Sequence, residues 1–196
     1  MWKSVFFVFL LTFANTAFTQ PQENKKSNAH LTFKGVPIDG KLSEFVVKMK
    51  SKGFSHISTE DGIATLKGDF ALYKNCIVKV MTYNQIDLVS KIYLIFPENG
   101  TCSDASYDYF SLKKMLIEKY GNPAVEVEEN QDDEPSDFVE AIITAIRCEY
   151  YSTFKTEKGI IQLSIEQDKL SEYYVLLSYC DKINDEIIKA KAKEDL

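Results

Sequence analysis

Apolar residues recur along this chain with two different periods, and the switch between them outlines its elements. Leu42, Phe45, Val46 and Met49 fall at i, i+3, i+4 and i+7, one stripe of an amphipathic helix, while Lys48, Lys50 and Lys52 face away. Gly53 supplies a C-terminal stop, and the lysines of the last turn suit the negative end of the helix dipole. The period then shortens to two. A short strand over Ile63 to Lys67 leads to a turn at Gly68-Asp69. Beyond it Phe70, Leu72, Cys76, Val78 and Val80 fall on one face of an extended chain, with Lys74 the exception, and Tyr73, Asn75, Lys79 and Tyr83 on the other. Asn84-Gln85 reads as a turn, after which Leu88 to Phe96 alternates again and ends at Pro97-Glu98-Asn99-Gly100. Helix, then a meander of about three strands, is the reading of this half.

That order recurs. Asp104 or Ser106 can cap a second helix carrying Tyr109, Leu112, Leu116 and Tyr120 on one face, stopped at Gly121-Asn122-Pro123. Three more strands follow at Cys148 to Lys155, Ile160 to Glu166 and Tyr173 to Cys180. The expectation is an α+β protein, with two helix-plus-antiparallel-meander repeats over 36–97 and 104–181 and the helices packed on antiparallel sheet, inside one domain spanning 31–182. Leu31-Thr32-Phe33 is a further short strand, and Gly35 to Gly40 has turn chemistry. An acidic insertion is expected over 126–140, with Ser136 capping a short helix over Phe138 to Ile146. Residues 183–196 read as a charged C-terminal helix.

The N-terminus carries a different signal. Met1-Trp2-Lys3 gives a positive start, Val5 to Ala14 is apolar and uncharged, and Ala17-Phe18-Thr19 offers a small-residue cleavage site. This is the layout of a secretory signal peptide over 1–19, too short to persist as a membrane span. The predicted location is periplasmic or secreted, with a polar, disordered leader over 20–30 and no stable membrane insertion after cleavage.

Composition narrows the partners. The chain is 45% hydrophobic, with 11 tyrosines and 13 phenylalanines, and its formal net charge is −6. An acidic protein gains no counterion-release affinity for phosphate backbones, so nucleic acid is not an expected partner, and anionic membrane surfaces are disfavoured on the same ground. Cys76, Cys102, Cys148 and Cys180 could form two disulfides with three connectivities. Their wide spacing and the apolar runs around Cys76 and Cys180 equally fit buried thiols.

Several segments together resemble a known group. Val36-Pro37-Ile38-Asp39-Gly40-Lys41-Leu42-Ser43-Glu44-Phe45, Lys52-Gly53-Phe54, Tyr73-Lys74-Asn75-Cys76, Ile92 to Pro97, Glu118-Lys119-Tyr120-Gly121-Asn122-Pro123 and Tyr174 to Lys182 resemble small uncharacterised secreted proteins of Gram-negative gut bacteria. The doubled helix-and-meander layout is similar to that of the β-lactamase inhibitor protein and its relatives. These resemblances imply a fold, without an activity.

The search for reactive residues ends on recognition. No Gly-x-Ser-x-Gly, Walker loop, Gly-x-Gly-x-x-Gly, His-Glu-x-x-His or EF-hand spacing occurs, so no catalytic residue, cofactor or metal site is expected. The only histidines, His30 and His56, are expected in the leader and in a loop after the first helix. The 126–140 cluster reads as a solvated insertion, or as a surface for calcium or a basic partner. Adjacent tyrosines on a strand point to opposite faces, which sends some of them outward, where the ring and hydroxyl suit recognition. The candidate binding residues are Tyr73, Tyr83, Tyr93, Tyr150 and Tyr174. The function expected is a non-catalytic extracytoplasmic module binding an unknown protein or small molecule. A secreted hydrolase with an acid/base carboxylate pair, or an inhibitor of another enzyme, are the alternatives.

Overall fold

The computed structural model describes residues 29–83, 86–130, 148–170, 172–194 and 196. The segment expected to be a signal peptide, most of the expected leader, the turn expected at Asn84-Gln85 and the helix expected over Phe138 to Ile146 lie outside them.

The described residues form ten strands and three helices. In chain order these are β1 (Thr32–Phe33), β2 (Val36–Pro37), α1 (Leu42–Ser51), β3 (Ser55–Glu60), β4 (Ile63–Phe70), β5 (Tyr73–Tyr83) and β6 (Ile86–Ile95). Then come α2 (Cys102–Tyr120), β7 (Val125–Asn130), β8 (Cys148–Thr156), β9 (Gly159–Gln167), β10 (Tyr173–Asp181) and α3 (Lys182–Glu194). β1 and β2 form a small hairpin; the other eight strands form one antiparallel sheet in the order β3-β4-β5-β6-β10-β9-β8-β7. The fold is α+β, with helices packed against a large antiparallel sheet.

Strand alternation sorts the sheet into two faces. On one, Ala64, Val80, Ile92, Tyr179, Ile161 and Phe154 stand in one row across six strands, all buried. Leu66, Val78, Leu94, Leu177, Leu163 and Ser152 stand in the next row. Against these rows α1 sets Leu42, Phe45 and Met49, and α2 sets Ala105, Tyr109, Leu112 and Leu116, in one hydrophobic cluster. Phe33 of the small hairpin joins it, stacked on Phe70 at 5.4 Å and edge-on to Tyr179 at 5.4 Å. Burying these side chains at about 25 cal/mol per Å² of apolar area is what holds helices to sheet.

The helix ends are fixed locally and at a distance. Thr101 caps α2, its hydroxyl accepting from the Asp104 N–H at 3.1 Å, so the cap is neither Asp104 nor Ser106. Gly121 ends that helix at φ +81°, a left-handed conformation that costs glycine little. Lys41 offers α1 no side-chain cap; Asp87 of β6 reaches across and accepts from the Leu42 N–H at 3.0 Å.

Other expectations need correction. Four strands follow each of α1 and α2, where about three were expected, because β3 and β7 form the sheet's edges. Glu126 to Asn130, expected in an insertion, belong to β7 and pair with β8. His56 lies on β3, outside any loop. β4 runs through the expected Gly68-Asp69 turn, and the chain reverses at Ala71-Leu72, leaving Leu72 98% exposed. His30, the last residue of the expected leader, is held against Asp181.

Candidate functional site

The second face of the sheet contributes little to that core cluster. Its first row is Lys67, Ile77, Ile95, Leu176, Ser164, Tyr151 and Val127. Its second is Thr65, Lys79, Tyr93, Ser178, Gln162, Thr153 and Val125, and its third is Ile63, Met81, Lys91, Cys180, Ile160 and Lys155. Ile63, Ile77, Met81, Tyr93, Ile95, Leu176 and Tyr151 are half-buried, and Ile160 is 44% exposed.

Charge on this face is arranged. Lys79 is directly paired with Thr65 and Tyr93, so Lys67 and Lys91 are its diagonal neighbours on β4 and β6. Diagonal partners on adjacent strands lie about 7–8 Å apart, so the three lysines form an oblique cationic stripe. Ile77 and Tyr93 run beside it as an apolar edge. Toward β9 the sign reverses. Burial pushes the Tyr174 hydroxyl above its usual pKa, and the carboxylates of Glu166 and Asp168 push it further.

The five tyrosines singled out by sequence divide between the faces. Tyr93 and Tyr174 lie on the outer face, where they were expected. Tyr83 is half-buried where β5 pairs with the start of β6, beyond a register shift. Tyr150 points the other way: it is 6% exposed and meets the ring of Tyr109 at 5.4 Å, and its neighbour Tyr151 takes the outer position. Tyr73 is also inward. Its hydroxyl donates to Asp108 of α2 at 2.9 Å, its ring packs edge-on against Phe96 at 4.9 Å, and burial, followed by Asp108, pushes its pKa up to about 12.

The cysteines resolve into one bond and two thiols. Cys102 at the start of α2 is bonded to Cys148 at the start of β8, while Cys76 is buried and Cys180 half-buried as free thiols. Burial raises the pKa of both thiols.

Both histidines are committed to local contacts. His30 Nδ1 lies 3.1 Å from Asp181 Oδ1 and its Nε2 3.5 Å from Asp39, so both ring nitrogens face carboxylates. Asp181 is fully buried; its Oδ2 accepts from the Leu31 N–H at 2.7 Å and its Oδ1 from the Asn184 N–H at 2.9 Å. His56 Nε2 lies 2.8 Å from the Thr59 hydroxyl, in a 410 Å³ cleft shared with Asp87. Asp87 already serves as the distant cap of α1. Among the described residues, no group of three or more His, Cys, Asp or Glu is placed to hold a metal ion, and no helix is long and apolar enough to cross a membrane.

Lys113 of α2 is the other prominent charge. Burial alone would lower its pKa, but bonds to Glu126 and Glu128 of β7 outweigh that and hold it above the usual lysine value. Glu126 and Glu128 of the acidic cluster are thus tied to a helix.

No protein-family model matches this chain, and no curated protein or solved structure does.

Proposed function

We propose that this protein is a non-catalytic extracytoplasmic binding module that docks a partner protein on the outer face of its sheet. The carrying observation is the oblique stripe of Lys67, Lys79 and Lys91 beside Ile77 and Tyr93, on a chain whose net charge is −6. Cationic side chains gathered on an acidic protein, next to half-buried apolar ones, complement an acidic surface with an apolar centre. Tyrosine suits such a contact, having a large ring and few torsions to freeze.

Export is part of the same reading. A signal peptide over 1–19 would deliver the chain to an oxidising compartment, where a bond such as Cys102–Cys148 persists. The chain is also read as two related units, α1 with β3–β6 and α2 with β7–β10. The same element order in each half and the antiparallel pairing of their last strands, β6 and β10, support this.

A photo-crosslinking amino acid in place of Tyr93, in cells, tests the docking face. One discrete adduct with a protein bearing an acidic surface is expected, lost on Lys79→Glu/Lys91→Glu at an unchanged melting temperature. An adduct insensitive to the charge reversal, an adduct with a second copy of this chain, or none, would overturn the reading. Protein recovered from the same cells should begin near residue 20; an intact N-terminus counts against export.

A further inference from the structure

A hollow of 530 Å³ opens between the β1–β2 turn, the C-terminal end of α1 and the β4–β5 hairpin. Lys34, Lys52 and Lys67 line it, with Ser55, Asp69 and Asn75, over a floor containing Gly53 and Gly68. Among the described residues none of the three lysines forms an ion pair. The Lys34 ammonium instead rests 5.7 Å from the Phe70 ring and 6.0 Å from the Phe54 ring. The one carboxylate present is engaged, since Asp69 Oδ1 accepts from the Asn75 N–H at 3.1 Å. Like charges around one hollow repel, and an anion between them would reverse that sign.

The two hairpins that wall the hollow turn tightly, with Lys34-Gly35 and Ala71-Leu72 at positive φ as two-residue hairpin loops require. The floor is constrained as well. A Cβ on Gly68 would lie 2.5 Å from the Phe54 ring, so only glycine lets the aromatic platform sit that close.

We propose that this hollow binds a phosphate or sulfate ester carried on a small hydroxylated molecule such as a sugar. Its lysines take the oxyanion as point charges. The hollow lies in the size range of small-molecule pockets, about 300–1,000 Å³, so it has room for more than a bare anion. The Ser55 hydroxyl, the Asn75 amide and the second oxygen of Asp69 can bond hydroxyl groups on the carrier. Lys67 is shared with the cationic stripe of the docking face, but Lys34 and Lys52 are not, so the two readings can be tested apart.

Amide NMR titration of the purified protein with glucose 6-phosphate, glucose 6-sulfate, inorganic phosphate and glucose tests it. Both esters should move the Gly53, Gly68 and Asn75 resonances, more tightly than phosphate and unlike glucose. Lys34→Gln/Lys52→Gln, exposed positions that leave the docking stripe intact, should weaken ester binding at least about tenfold without lowering the melting temperature. Overturning results would be no shift at about 10 mM of either ester, an unchanged affinity in the double variant, or equal affinity for inorganic phosphate.

Discussion

The hydroxyl of Tyr109 lies 2.6 Å from the Ser152 hydroxyl, where α2 crosses β8, and both side chains are fully buried. Ser152→Ala removes that partner and leaves the buried phenol only the Glu128 carboxylate of β7 to bond. The expected loss is about 1 kcal/mol of unfolding free energy in urea. Tyr109→Phe removes both bonds at once and should cost more. Equal stability in all three proteins would contradict this.

Asp181 supports a second prediction. Two backbone N–H groups, of Leu31 and Asn184, donate to its separate oxygens. An amide has one acceptor oxygen, so Asp181→Asn sets an NH₂ against one of those donors. About 2 kcal/mol of stability should be lost. Hydrogen exchange at the Leu31 or Asn184 amide should quicken in the variant, and unchanged exchange at both would count against the geometry.

Tyr73 links stability to high pH. Its folded pKa of about 12 exceeds the unfolded value near 10, so its contribution is complete below pH 10. It drains away between pH 10 and 12, as the phenol of the unfolded chain ionises first. Tyr73→Phe should lose about 1 kcal/mol at neutral pH yet show a shallower decline across the alkaline window. Tyr109 and Tyr179 are shifted upward too, mainly by burial, so a residual slope is expected. Parallel curves for both proteins would refute the assignment.

The Cys102–Cys148 bond spans 46 residues of sequence, and loop-closure entropy assigns such a span about 4 kcal/mol. Cys102→Ser/Cys148→Ser should lower the urea midpoint accordingly. Without reductant, unfolded wild-type protein should show two titratable thiols. The folded protein should react slowly at neutral pH, because burial holds Cys76 and Cys180 in the thiol form.

Elements that bury a regular stripe were legible in the sequence: α1, α2, β4 to β6 and β8 to β10 all follow from period. The edge strands were not. Ser55–Glu60 is almost wholly polar and its one apolar residue, Ile57, is 55% exposed, so no buried face marks it. In Val125–Asn130 the Val-x-Val alternation was present, but the acids between made it read as a loop; two of them turn toward Lys113. Tyr73 was misplaced for a countable reason. Between the pairs Gly68–Cys76 and Phe70–Tyr73, β4 carries one residue and β5 two, with Asn75 at φ +61°. That extra residue reverses strand parity, so Tyr73 and Cys76 share the inner face although three positions apart. Tyr150 and Tyr151 could not be told apart without the register. The lysine stripe and the lysine hollow were invisible for the same reason, since each joins residues from different strands.

The crosslink between Cys102 and Cys148 has a further effect on the molecule's fate. A protease that severs one peptide bond anywhere between those positions produces two polypeptides that remain a single covalent species. Such nicked material would run as an intact chain on a gel until a reducing agent splits it, so damage in that stretch stays hidden from separation by size under oxidising conditions.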